Sequence, residues 1–185
     1  KLVISGESGT EAVMMLNITV RNFSLPERSQ FRTCFFLNRV FMLEYFGIKD
    51  WQGEKAMSRK IIEISAKNRL TLMPMLEHRP TWLQPNWTAT KDAQGKYHFD
   101  FTKENEITRM ILDEFHGTGY NVAPSPTWDR YFGYMWLTDP KTGKAKRLPY
   151  SMKHPEFQNI YRDFLQAAWE NAKKNGWEKY AYHYI

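Results

Sequence analysis

The sequence has little of what staples or spans a protein. Its 185 residues include one cysteine, Cys34, so no internal disulfide and no cysteine metal cluster is available. This excludes a disulfide-dense secreted scaffold. No apolar run approaches the roughly 18 residues that a membrane-crossing helix needs. Neither G-x-G-x-x-G nor G-x-x-x-x-G-K-[ST] occurs, which removes the usual Gly-rich phosphate cradles. Charge is not of one sign either: 26 Lys+Arg face 20 Asp+Glu, for a net of +6. The basic residues are scattered, densest at Lys141–Arg147 and Lys173-Lys174. Nucleic-acid binders concentrate charge along one face, so no nucleic-acid partner is expected. There is no initiating Met and no signal-peptide pattern. The last residues, Tyr180–Ile185, read as a strand. The expectation is a piece of a longer protein.

What is abundant is aromatic character: 16% of residues, with 7 Trp, 10 Tyr and 12 Phe. Hydrophobic residues at 42% and charged residues at 25% are ordinary for a globular chain. Residues 13–25 read as a strand, with Leu16, Ile18 and Val20 alternating against Asn17, Thr19 and Arg21. Residues 1–4 are its candidate partner across a polar, Gly-containing turn. Pro26 and the charged stretch to Gln30 read as a linker.

Beyond it, short apolar runs alternate with amphipathic helices. Strands are expected at 31–37, 70–76, 120–123 and 180–185, and helices at 50–69, from about 102 to 115, and from 155. The last helix carries an apolar stripe of Phe157, Ile160, Tyr161, Phe164, Leu165, Ala168, Trp169 and Ala172, with Pro155 at its start and Gly176 at its end. This β-α-β-α-β-α-β order predicts an α/β fold with parallel strands covered by helices. Four strands are half of the eight in a (β/α)8 TIM barrel. The fold expected is a partial barrel of about four β/α units, preceded by the end of a β-sandwich domain. In domain terms, 1–29 would be the last sandwich strands plus linker, and 30–185 the first half of a barrel.

Ligands of such folds meet the carboxyl ends of the strands. Asn38 and Arg39 follow strand one. Glu77, His78 and Arg79 follow strand two. Trp128 lies in the long aromatic loop after strand three, and His183 at the end of strand four. Arg79 is suited to fork onto a carboxylate and His78 to switch between donor and acceptor; Glu77 and Arg79 fit equally well as a salt-bridged brace of their loop. Among the tryptophans, Trp82, Trp87, Trp128 and Trp136 fall in loops where an indole can stack on a sugar, whereas Trp51, Trp169 and Trp177 read as packing. No metal site is expected, since no second His sits at ligand spacing, and no cofactor is implied. Cys34 reads as a small buried hydrophobe.

Several segments together resemble glycoside hydrolase family 123, whose members include β-N-acetylgalactosaminidases: Val20–Pro26, Leu76-Glu-His-Arg79, Asp100-Phe-Thr102, and Phe164–Trp177 leading into Tyr180–Ile185. The resemblance implies a sandwich followed by a barrel, and a retaining, substrate-assisted glycosidase acting on N-acetylhexosamine-containing glycans. In that chemistry the substrate's 2-acetamido group attacks the anomeric carbon, an exception to the ordinary two-carboxylate scheme. It also implies a periplasmic or extracellular location, a glycan partner, and the remainder of its own chain as a second partner. The family's Asp-Glu pair follows the fourth barrel strand, so the catalytic pair is expected just beyond Ile185. Asp113-Glu114 lies on a helix, away from any strand's carboxyl end, and is not assigned that role. Only Glu77, His78 and Arg79 carry over by motif; Asn38, Trp128 and His183 rest on strand-end geometry. The alternative reading is a non-catalytic carbohydrate-binding or interaction module using the loop aromatics.

Overall fold

The computed structural model describes residues 2–9, 11–33, 35–37, 39–74, 86–122, 135–148 and 153–182. At the start, β1 (Leu2–Ser5) and β2 (Glu11–Met14) form an antiparallel hairpin with Leu2 opposite Met14. The reading of 13–25 as one strand is corrected here: the ladder ends at Met14, and residues 15–25 carry no regular structure. The alternation is present but uncovered, with Leu16, Ile18 and Val20 60%, 73% and 87% exposed. Alternation alone does not make a strand, because backbone N–H and C=O groups need a neighbour to pair with. Among the described residues this stretch has none.

Residues 26–30, expected as a plain linker, are tied to the body. The Arg28 guanidinium donates to the carbonyls of Gly117 and, at 2.6 Å, Leu112. It also lies 4.2 Å from the centre of the Tyr180 ring. Arg69 donates to the Pro26 carbonyl at 2.8 Å.

The body then alternates short strands with helices. β3 (Phe35–Leu37) leads into α1 (Arg39–Tyr45), a short helix that the sequence pattern did not announce. α2 (Trp51–Lys67) starts where expected, because the Asp50 carboxylate accepts from Gly53 N at 2.7 Å and so satisfies an otherwise orphaned donor. β4 (Leu72–Pro74) runs parallel to β3 with Leu37 opposite Pro74. A hairpin of β5 (Thr88–Lys91) and β6 (Tyr97–Asp100) follows. α3 (Thr102–Arg109) continues into a π-helical turn, Met110–Glu114. β7 (Tyr120–Asn121) is followed by a second hairpin, β8 (Met135–Thr138) with β9 (Ala145–Leu148). α4 (Pro155–Lys174) is capped by His154, whose Nδ1 accepts from Glu156 N at 3.1 Å. Gly176, at φ 70°, closes it in the left-handed conformation that glycine tolerates. Last comes β10 (Ala181–Tyr182), parallel to β7.

The two parallel pairs are stitched together at their amino ends by three threonines. Thr71 N donates to Thr33 Oγ1 at 2.9 Å, and Thr118 N donates to Thr71 Oγ1 at 2.8 Å. Thr33 N donates to Thr118 Oγ1 at 3.1 Å. These residues precede β3, β4 and β7, so the stitch brings the two pairs side by side. Of the expected α/β half-barrel, the α/β character and the parallel pairs are present. The described residues form a mixed α/β body of parallel strand pairs and helices, with no closed or continuous barrel ladder among them.

Two large apolar cores and a smaller one at Met42 and Leu43 hold the described residues together. In the first, Trp87, Ala89, Tyr97 and Phe101 of the first hairpin region pack on Phe157, Ile160, Phe164 and Ala168 of α4. In the second, Ile107, Met110, Ile111 and Leu112 pack with Ile62, Tyr120, Ala172 and Trp177. Each fully buried side chain of this kind contributes about 1.5–3 kcal/mol. Trp87, expected in a ligand-facing loop, is 6% exposed and belongs to the first core. Trp169, expected as core, is 42% exposed on α4. It lies one residue past the buried stripe, with Lys173 Nζ 5.6 Å from its ring centre.

Candidate functional site

β3 with β4, and β7 with β10, form parallel pairs, and the threonines that precede β3, β4 and β7 link the two pairs. The residues read from the sequence as site candidates follow these strands in the chain. Asn38, Glu77, His78, Arg79, Trp128 and His183 all lie outside the described residues, as do Cys34 and Trp82. Besides the threonine stitch, the described residues form two buried polar clusters near these strands.

The first surrounds Glu54. Arg39, the residue that opens α1 after strand β3, grips the Glu54 carboxylate with two guanidinium nitrogens, Nε to Oε1 and Nη2 to Oε2, the latter at 2.7 Å. Asn86 Nδ2 donates to the same Oε1 at 3.2 Å. Glu54 is 5% and Asn86 6% exposed. A forked Arg–carboxylate pair fixes orientation as well as distance, and the amide supplies a further donor. One buried carboxylate thereby joins the start of α1, the first turn of α2 and the residue at which the chain re-enters the body before β5. Arg39 and Asn86 border, in sequence, residue 38 and the stretch 75–85. Sequence reasoning placed Arg39 after strand one but missed Glu54, because an acid in the first turn of a helix reads as a solvent-facing complement to the helix dipole. Nothing local signals its burial.

The second cluster lies between α3, β7 and α4. Asn105 and Asn171 exchange reciprocal amide hydrogen bonds of 2.9 and 2.8 Å. Beside them is a cavity of about 20 Å³, the size of one water molecule, with Glu104, Thr108, Tyr120 and Asn121 among its walls. The Tyr120 hydroxyl is buried and meets no hydrogen-bond partner among the described residues. Burial, reinforced by the charges of Glu104 and Glu178, pushes this phenol well above its ordinary range. It stays protonated and acts only as a neutral dipole. The asparagines were not picked out from sequence, since an Asn on a helix carries no spacing signal of its own.

The two hairpins, inserted after β4 and after β7, lie against each other, because β5 runs alongside β8. They are locked to α4 where Lys91 Nζ donates to Glu156 Oε1 at 2.6 Å and the Tyr97 hydroxyl donates to the same oxygen. The hydrogen bond from Lys91, then that from Tyr97, holds the Glu156 carboxyl below its usual range. Its bond to Glu156 raises the Lys91 ammonium above its own. His98, which had no partner legible in sequence, meets Asp92 at 2.7 Å. Asp113 accepts from Trp177 Nε1 at 3.1 Å and Glu114 pairs with Arg59 at 2.5 Å, so both acids of that dipeptide serve packing. Among the described residues no group of three or more His, Cys, Asp or Glu is placed to hold a metal.

Comparison with solved structures adds a likeness of fold. The fold resembles that of a family 123 glycoside hydrolase from Clostridium perfringens, whose structure was analysed for glycolipid glycan hydrolysis. The TM-score is 0.59 at 12% sequence identity, over 83% of this chain. This is a glycoside-hydrolase-like fold. The likeness spans 28% of the length of that hydrolase. No family model matches the sequence, and no curated protein matches it. At this identity the likeness speaks for the fold, and the parallel pairs with their carboxyl-end insertions are the part of the fold that bears on a site.

Proposed function

We propose that this chain forms the substrate-binding side of a glycoside hydrolase acting on N-acetylhexosamine-containing glycans by a retaining, substrate-assisted mechanism. The observation that supports this most is the fold likeness to the family 123 enzyme. The resemblance of Leu76-Glu-His-Arg79 to that family gives it residues. In this reading Glu77, His78 and Arg79 hold sugar hydroxyls, with Asn38, Trp128 and His183 around them. The acid/base carboxylate and its Asp neighbour are supplied by residues that follow the fourth parallel strand, past Ile185. Residues 1–29 belong to a separate β-rich unit and 30–185 to the catalytic domain, and the protein works in the periplasm or outside the cell.

Glu54 gives this reading its mechanical sense. Sugar hydroxyls are discriminated by donors fixed in place, and a buried, doubly gripped carboxylate whose partners border residue 38 and the stretch 75–85 in sequence fixes them at little entropic cost on binding. The test is titration of the chain with an N-acetylgalactosamine-terminated trisaccharide, followed by nuclear magnetic resonance. Saturable shifts are expected, lost in Arg79→Ala and Glu77→Gln. Release of aryl aglycone from an aryl N-acetyl-β-galactosaminide is expected only from a polypeptide extending past Ile185. No binding by the chain, or equal binding by both variants, would overturn the reading. Binding without hydrolysis by the extended polypeptide would favour a carbohydrate-binding module instead.

A further inference from the structure

The β8–β9 hairpin is inserted between the carboxyl end of β7 and the start of α4. In a β/α fold such insertions stand on the face where ligands meet the strand ends. The hairpin is strongly basic. Lys141 lies in its turn and Lys144 and Lys146 lie on the returning arm, all three exposed. None of them is in an ion pair among the described residues. The acid of the hairpin, Asp139, is engaged in its own turn: it accepts from Lys141 N at 2.8 Å and from the Thr142 hydroxyl, which holds its carboxyl below the usual range. Lys144 and Lys146 are two residues apart, on the same side of the strand and about 7 Å from each other. Lys146 stands opposite Leu137 in the ladder, so it lies on the Leu137 face, whereas Trp136, opposite residue 147, lies on the other face and takes no part in this basic edge.

We propose that this hairpin is a basic lip for an anionic glycan, in which carboxylate- or sulfate-bearing sugars flank the N-acetylhexosamine. The proposal rests on the glycosidase reading and narrows its substrate class. Charge complementarity selects the occupant: three ammonium groups without acid partners attract an anion along one edge. A nucleic acid would require positive charge over a whole face. Here the neighbouring hairpin instead presents Asp92 and Asp100, and its Lys91 is engaged by Glu156. Lysines on an edge strand also block edge-to-edge pairing, but that role is indifferent to the charge of a sugar.

The experiment measures the affinity of the chain for three probes at low and at physiological salt. They are a sulfated tetrasaccharide of N-acetylgalactosamine and uronic acid, its desulfated and carboxyl-reduced counterpart, and a single-stranded DNA oligonucleotide. The sulfated probe should bind about tenfold tighter than the neutral one at low salt, with the advantage shrinking as salt rises. The triple variant Lys141→Glu, Lys144→Glu, Lys146→Glu should abolish the advantage and leave the neutral affinity unchanged. All three side chains are exposed, so the variant tests charge and not folding. Equal affinity for the two tetrasaccharides overturns the lip while leaving the glycosidase reading intact. Binding of the sulfated probe with none of the neutral one keeps the lip and removes the N-acetylhexosamine reading. DNA binding that matches the sulfated probe and vanishes with it in the variant overturns the proposal in favour of an unselective polyanion patch.

Discussion

The two buried polar clusters solve the same problem in opposite ways. Around Glu54 a full charge is buried, and every neighbour that faces it donates: two nitrogens of Arg39 and the amide of Asn86. Around Tyr120 the polar groups include a neutral hydroxyl and an amide pair, and one small cavity remains beside them. A buried charge left unpaired is far more costly than a buried hydroxyl left unpaired. Both clusters keep a small cavity, about 10 Å³ beside Glu54 and about 20 Å³ beside Tyr120, but only the Glu54 carboxylate has both oxygens gripped, whereas the Tyr120 hydroxyl meets no partner among the described residues.

That contrast is open to direct attack. The largest effect is expected from Glu54→Ala, which strands a buried guanidinium; urea denaturation should show a loss of about 3–5 kcal/mol. If the loss is below about 1 kcal/mol, the pair is not the keystone described above. Asn171→Ala breaks the reciprocal amide pair and leaves Asn105 half-satisfied. Its expected cost is about 1–3 kcal/mol by the same measurement. Tyr120→Phe removes a hydroxyl that meets no partner among the described residues, so stability should hold or rise by up to about 1 kcal/mol. A clear loss would mean that an ordered water bonds the phenol, and that the second cluster is as tight as the first.

The smallest effect concerns the half-exposed lock of Lys91 on Glu156, worth up to about 1 kcal/mol as a surface pair. The folded value of Glu156 is depressed, so its contribution is present above the unfolded value of about 4.3. It is lost as pH falls through the lower, folded value. Lys91 is raised, and its share would be lost only on strong alkalinisation. Thermal melts should therefore be insensitive to the Glu156→Gln substitution near pH 3 and sensitive to it at pH 6, both set by the titration range of a carboxylate.

The elements that were legible in the sequence are those whose signal is local. α4 carries a buried stripe, a proline at its first position and a closing glycine. α2 carries the Asp50 cap. The parallel strands appeared roughly in place, although longer than they are. The failures share a cause. The alternation of Leu16, Ile18 and Val20 is a statement about a partner, and sequence holds no information on whether one is present. β5 and β9 were missed for the converse reason: Thr88–Lys91 and Ala145–Leu148 have little apolar alternation, yet each finds a neighbouring strand. Their turns, Asp92–Gly95 and Asp139–Gly143, were the available clue. Trp87 and Trp169 exchanged expected roles because an indole buries or stacks by tertiary position. Of the candidate site, the strand-end positions came from topology, but Glu54 and Asn86 could not. Their meaning depends on contacts across 15 and 32 residues of sequence.

The Arg28 clamp has a consequence for the order in which the molecule assembles. Its two acceptor carbonyls lie 84 and 89 residues further along the chain, and the ribosome adds about 5–20 residues per second. Arg28 therefore waits in water for several seconds before the carbonyls that receive it exist. Closing so long a loop early is entropically disfavoured, so the clamp belongs among the last contacts to form. Until it closes, Arg28 does not hold the amino-terminal segment to the body, so the order of assembly as well as the final stability depends on that side chain.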